Sequence, residues 1–302
     1  MECFADRLAA AVDRCGNPVL VGLDPRTDML PDGLCPEGEN PSLAAQAAAF
    51  EEFSRGVIDA VAPLVSAIKP QAAFFEELGP AGMEVLASLV RYGQEKGLLV
   101  ILDGKRNDIG TTAAAYARGF LGRPSAWGAD ALTVSPYLGD DSLAPFVEVA
   151  EERGCGVFVL VKTSNPGGRM LQDLQCDGRP LYRHVADYVQ SLAAATVGAC
   201  GYGAVGAVVG ATYPEQLVEL RRAMPNTWFL VPGYGAQGGA AKDVVAALDG
   251  RGRGAIVNNS RGIIFAYRNK PYADELGPSR WQEAVAAATR RMIAELKTAR
   301  GG

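Results

Sequence analysis

Eight short apolar runs, each followed by a segment with helical spacing, constrain this 302-residue chain more than any other feature. The runs are Pro18–Leu23, Leu64–Ile68, Leu98–Leu102, Ala131–Val134, Gly156–Val161, Gly206–Val209, Trp228–Val231 and Ala255–Val257. They are too short for helices and apolar throughout, which suits strands buried on both faces of a parallel sheet. Helical spacing marks Ser42–Ala62, Met83–Lys96, Thr111–Leu121, Ser142–Arg153, Leu181–Val197, Pro214–Ala223 and a stretch near Ala241–Leu248. Trp281, Val285, Ala288, Met292 and Leu296 step along a final helix, and MECFADRLAAAV forms an amphipathic first one. Met29–Pro41 and the polar stretch before Gly178 read as loops. No composition break or low-complexity linker interrupts the alternation, so residues 1–302 are expected to form one α/β domain. The count of eight favours a closed (β/α)8 TIM barrel, with a doubly wound open sheet as the alternative.

The charge balance excludes some partners. The net charge is −5 and no block of like charge occurs, so neither a nucleic-acid nor a membrane surface is indicated. No apolar run is long enough to cross a bilayer. The N-terminus carries Glu2, Asp6 and Arg7 instead of a basic region before an apolar core, so no signal peptide is evident. The six cysteines are scattered without C-x-x-C or zinc-site spacing, as for reduced thiols of a cytoplasmic protein, and no metal site is expected.

A barrel builds its active site from residues just after its strands, so those residues should converge at one face. Here they are Asp24, Lys69, Asp103, Lys105, Ser164, Gln237 and Arg261. The densest cluster follows the third strand, in LVILDGKRNDIGTT (Leu99–Thr112). Residues i and i+2 of a strand share a face, so Asp103 and Lys105 point the same way, while Asp108 lies in the turn into a helix. Taken alone, the stretch fits two readings equally: an active site, or a structural ion pair with Asp108 capping the helix that begins near Ile109. Neighbouring carboxylates keep a lysine protonated, whereas a Schiff-base lysine needs a depressed pKa, so Lys105 suits a proton donor. A carboxylate beside an anionic substrate group repels it, and the repulsion ends if the charge leaves as carbon dioxide. Binding energy from a remote phosphate can offset that crowding. The segments PGYGAQGG and NNSRG, after the seventh and eighth strands, stand where barrels hold phosphate, and Arg261 adds a charge-assisted contact. Neither matches a Walker A or G-x-G-x-x-G pattern, and ordinary turn glycines remain the alternative.

LDGKRNDIGTT, together with GLDPR (Gly22–Arg26), IKPQAAFFE (Ile68–Glu76), TSNPGG (Thr163–Gly168), PGYGAQGG and NSRG, resembles the orotidine 5′-phosphate decarboxylase family in its longer, mycobacterial-like bacterial form. The resemblance touches nearly every strand end from Asp24 to Arg261. It implies a homodimeric barrel that converts orotidine 5′-monophosphate to UMP in pyrimidine biosynthesis, with neither metal nor organic cofactor. By position, Asp103 crowds the substrate carboxylate and Lys105 protonates the ring carbon left behind. Asp24 and Lys69 hold ribose hydroxyls and complete the charge network, and Asp108 and Thr112 reach into the partner subunit's site. Ser164 contacts the pyrimidine, Gln237 bridges phosphate and base from a lid, and Arg261 binds phosphate. Asn107 stands where such relatives often have glycine, without touching the charged positions. No orotate phosphoribosyltransferase segment is present, so a separate decarboxylase is expected, not a bifunctional synthase.

Two alternatives come with this reading. The magnesium-dependent sugar-phosphate decarboxylase and aldolase of the same superfamily share D-x-K-x-x-D, but they place a metal-binding glutamate where this chain has Lys69. A non-catalytic nucleotide-binding barrel would gain nothing from setting Asp103 against an anionic ligand. His184, the only histidine, has no nucleophile arranged for it and reads as structural. Phe74 and Phe75 are expected to pack beneath the exit of the second strand, and Trp127, Trp228 and Trp281 to serve packing.

Overall fold

The computed structural model describes residues 2–38, 40–235 and 238–301. Its central strands are β1 (Val19–Leu23), β2 (Ala67–Pro70), β3 (Leu99–Arg106), β4 (Ala131–Val134), β5 (Gly156–Lys162), β6 (Val205–Val209), β7 (Phe229–Val231) and β8 (Ala255–Asn259). Each pairs in parallel with its sequence neighbours, and β1 also pairs with β8 through Val19↔Val257, which closes the barrel and excludes the open sheet.

The strand period of two gives the barrel two apolar faces. Inward residues Leu20, Ala67, Ile101, Ala131, Phe158, Val208, Leu230 and Ile256 form one buried cluster with Phe4, Leu8 and Val12 of the first helix, Phe4–Cys15. Outward residues such as Val21, Ile68, Val100, Leu132 and Val257 pack against surrounding helices through Phe53, Leu86, Leu89 and Val285. The first helix plugs the amino-terminal end of the barrel. Phe4 packs edge-on to Phe158 at 6.0 Å, in space left by Gly156, where a Cβ would fall 2.2 Å from the Phe4 ring. Arg7 pairs with Asp130 at 2.7 Å, just before β4. At the opposite, carboxyl end the residues that follow the strands border a cavity.

Several boundaries differ from the sequence reading, because ladder pairing and not apolarity ends a strand. β2 starts at Ala67 and takes in Lys69 and Pro70, paired with Gly22 and Leu23. β3 runs on to Arg106, opposite Val134, and β8 extends to Asn259. Of the polar residues inside these strands, Lys69, Asp103, Lys105, Asn258 and Asn259 face a cavity, whereas Arg106 pairs with Glu76 beside the rings of Tyr116 and Phe120. Helix Gly79–Glu95 begins before Met83, the stretch before Gly178 holds a short helix (Arg169–Gln172), and Gly178 itself lies in the turn of a hairpin of two-residue strands. Asp108 does not cap the next helix. Ile109 occupies that position without a side-chain cap, and Asp108 Oδ1 accepts from the Ile109 N–H at 2.8 Å.

Candidate active site

The third strand positions the charged core. Asp103 Oδ2 accepts from Lys69 Nζ at 2.6 Å and Oδ1 from Lys105 Nζ at 2.6 Å. Thr133 Oγ1 donates to Asp103 Oδ1 at 3.0 Å and accepts from the Lys105 N–H at 2.9 Å. Asp103 and Lys105 do share a side, but not through a regular pleat. The β3–β4 register shifts between Leu102 and Arg106, and Lys105 has φ 45°. That left-handed conformation costs a non-glycine residue about 1–2 kcal/mol. Thr133 escaped the sequence reading because Ala131–Val134 reads as an apolar run; its signal is a polar residue on the inward phase of a strand.

The three charges differ in exposure: the side chains of Lys69, Asp103 and Lys105 are 5%, 10% and 48% accessible. Burial pushes the Asp103 carboxyl up, but the Lys69 and Lys105 ammoniums outweigh it and hold the group well below the usual carboxylate range. Burial likewise works against the Lys69 ammonium, and the carboxylates of Asp103 and Asp24 overcome it, leaving that pKa raised. Lys69 is thus a fixed cation, whereas Lys105 faces the open side.

These groups line a cavity of about 420 Å³ at the carboxyl end of the barrel. Asp24, Lys69, Asp103, Lys105, Ser164 and Arg261, each from a strand end, all contribute to its wall, and Leu160, Val208 and Leu230 form an apolar floor. Asp24 Oδ1 is buried there without a hydrogen-bond partner. Asp108 and Thr112 are not part of this wall; Asp108 is half-buried and Thr112 exposed at the start of helix Gly110–Phe120. Gln237 lies outside the described residues. Phe75 is fully buried as expected, and Phe74, partly buried against the same core, also lines a groove beside the cavity with Gln71, Lys105 and Arg261. Among the described residues no three metal-ligating side chains are grouped. His184 Nε2 lies 2.9 Å from the Cys176 carbonyl, tying the hairpin to helix Leu181–Ala195.

Two anchors that the sequence reading missed hold the loops around the mouth. Lys162, only 1% exposed, pairs with Asp173 beneath the rings of Tyr182 and Tyr213. Gln172 clasps Thr163 from both ends, accepting from its N–H at 3.1 Å and donating to its hydroxyl at 2.8 Å. Thr212 Oγ1 donates to the Ser164 carbonyl at 3.1 Å, which sets Ser164 at the rim. Opposite, the Tyr234 hydroxyl donates to Glu295 Oε2 at 2.5 Å, linking the loop after β7 to the final helix, Trp281–Ala299.

A closed α/β barrel, sealed at one end and carrying a charged, ligand-sized cavity at the other, has the architecture of a barrel enzyme for a small polar substrate. Comparison with known proteins narrows the class. Residues 17–275 match the profile of the orotidine 5′-phosphate decarboxylase / HUMPS family, and the chain belongs to that family. It is 56% identical to the orotidine 5′-phosphate decarboxylase of Rhodopirellula baltica over 301 residues, covering 98% of this chain and all of that protein. It is 41% identical to the protein of the same name from Caldicellulosiruptor bescii, over 90% of this chain and 92% of that one. The structure of Leishmania donovani OMP decarboxylase superposes with a TM-score of 0.76 at 33% identity, covering 99% of both chains.

Proposed function

We propose that this chain is a carboxy-lyase converting orotidine 5′-monophosphate to UMP and carbon dioxide. The observation that carries the reading is Asp103, held ionised between two ammonium groups in the wall of the cavity that Arg261 borders. A substrate carboxylate seated against Asp103 meets a fixed negative charge, and breaking its bond to the ring removes the repulsion as carbon dioxide departs. The electron pair stays on the ring carbon, and Lys105 Nζ delivers the proton that neutralises it. The exposure of Lys105 lets solvent restore that proton. Arg261 binds the phosphate, whose binding energy offsets the crowding at Asp103. Asp24 and Lys69 hold the ribose, Ser164 the pyrimidine and Gln237 the phosphate and base.

The family also includes sugar-phosphate enzymes, but the buried Lys69 ammonium favours decarboxylation of the nucleotide. Its charge is paired with Asp103 and acts on Asp24, the carboxylates a magnesium ion would need. Purified protein in excess EDTA should bleach the pyrimidine absorbance of orotidine 5′-monophosphate; an inert protein, or one silenced by the chelator, rejects the proposal.

A homodimer is part of the same reading. Ile109, Tyr137 and Leu138 are 56%, 73% and 47% exposed on the loops after β3 and β4, an apolar surface beside Asp108 that a second copy would cover. Asp108 and Thr112 then complete the partner's cavity. Mixing inactive Lys105→Ala and Asp108→Ala proteins should restore activity, since a hybrid carries one intact site; no recovery contradicts a shared site. Residues 1–302 act as one domain in this scheme. All six cysteines are free and no described helix is long and apolar enough to cross a membrane, in keeping with a cytoplasmic setting.

A further inference from the structure

Asn258 stands on the inward face of β8, two residues beyond Ile256 and in register with Leu20 of β1. Next along that face of β1 comes Gly22, which pairs on its other side with Lys69. A Cβ on Gly22 would lie 1.8 Å from Ser260 Oγ and 3.1 Å from Asn258 Oδ1, so the missing side chain is what admits both groups, in and just after β8, to this part of the wall. Asn258 is 9% exposed and its Nδ2 donates to Ser260 Oγ at a long 3.4 Å, while its Oδ1 is buried with no partner. Asp24 Oδ1, just beyond β1, is in the same condition, and both residues line the cavity. A buried acceptor without a donor is rare in a native protein unless a ligand or water completes it. Two such acceptors, from adjoining strands of one cavity, call for a ligand that brings donors, and sugar hydroxyls supply them.

We propose that Asn258 is a specificity-determining residue whose Oδ1 accepts a hydrogen bond from one ribose hydroxyl of the bound nucleotide, beside Asp24. The inference rests on the nucleotide reading above. A site built to accept from a hydroxyl discriminates against a sugar lacking it, because the acceptor is then left unpaired. Calorimetry with UMP and its 2′-deoxy and 3′-deoxy counterparts tests the assignment. Asn258→Leu should weaken UMP binding about tenfold, yet leave one of the two deoxy nucleotides nearly unaffected, because that ligand has already lost the shared bond. Asn258→Ala should repeat the pattern, and it serves alone if the leucine variant does not fold. Equal losses for all three ligands, or no loss for UMP, overturn the inference. If the wild type decarboxylates orotidine 5′-monophosphate while this coupling is absent, Asn258 alone has been misassigned; if the wild type is inert, the reading beneath it fails.

Discussion

Replacing Lys105 should separate stability from activity, and the structure fixes the size of the effect. Its side chain is 48% exposed, so its 2.6 Å pair with Asp103 is worth at most about 1 kcal/mol. Its φ of 45° works the other way. Glycine at this position removes about 1–2 kcal/mol of left-handed strain. Against that gain stands roughly 0.5–1 kcal/mol for the freedom glycine adds to the unfolded chain. Lys105→Gly should therefore stay within about 1 kcal/mol of the wild type. Lys105→Ala loses the pair and keeps the strain, so it should be about 0.5–1 kcal/mol less stable than the glycine variant. Both should lose at least about 100-fold in kcat, the lower range for a positioned proton donor. Urea denaturation followed by tryptophan fluorescence gives the stabilities, and the absorbance assay gives the rates. An alanine variant more stable than the glycine variant would refute the strained backbone; near-native turnover by either would refute the proton donor.

Lys69→Met should behave in the opposite way, losing about 3–5 kcal/mol in urea denaturation because it strips the buried Asp103 of an ammonium; a loss below 1 kcal/mol would contradict the charge network. Arg261→Ala, at an exposed position, should leave stability within about 0.5 kcal/mol and raise KM more than it lowers kcat. Asp103 is held below its ordinary value, so the stability it contributes is full above about pH 4 and fades as pH falls toward its lowered pKa. Asp103→Asn should accordingly flatten the fall in urea midpoint between about pH 4 and pH 2, and an unchanged slope would contradict that assignment.

The fold was legible because strands buried on both faces leave continuous apolar runs, and eight of them alternating with helices leave few architectures. Strand ends were less legible: Lys69 and Pro70 belong to β2 through pairing with β1, which no local pattern announces. At the site, Asp24, Lys69, Asp103, Lys105, Ser164 and Arg261 could be read as a set because barrel geometry gathers strand ends at one mouth. The backbone at Lys105 could not, since the positive φ falls on the lysine and not on the adjacent Gly104. Lys162 and Asp173 are 11 residues apart and meet only through the folding of the loop between them. Asp108 and Thr112 lie outside the cavity wall, and in the proposed assembly a second chain would set their place.

In the proposed reaction the Lys105 ammonium passes a proton to the ring carbon that loses carbon dioxide. By microscopic reversibility the same group must also remove that proton, so UMP incubated with the protein in D2O should exchange its hydrogen at this carbon, as proton NMR would follow. Exchange is expected with the wild type and none above background with Lys105→Ala; undiminished exchange in the variant would contradict the proton-donor role of Lys105.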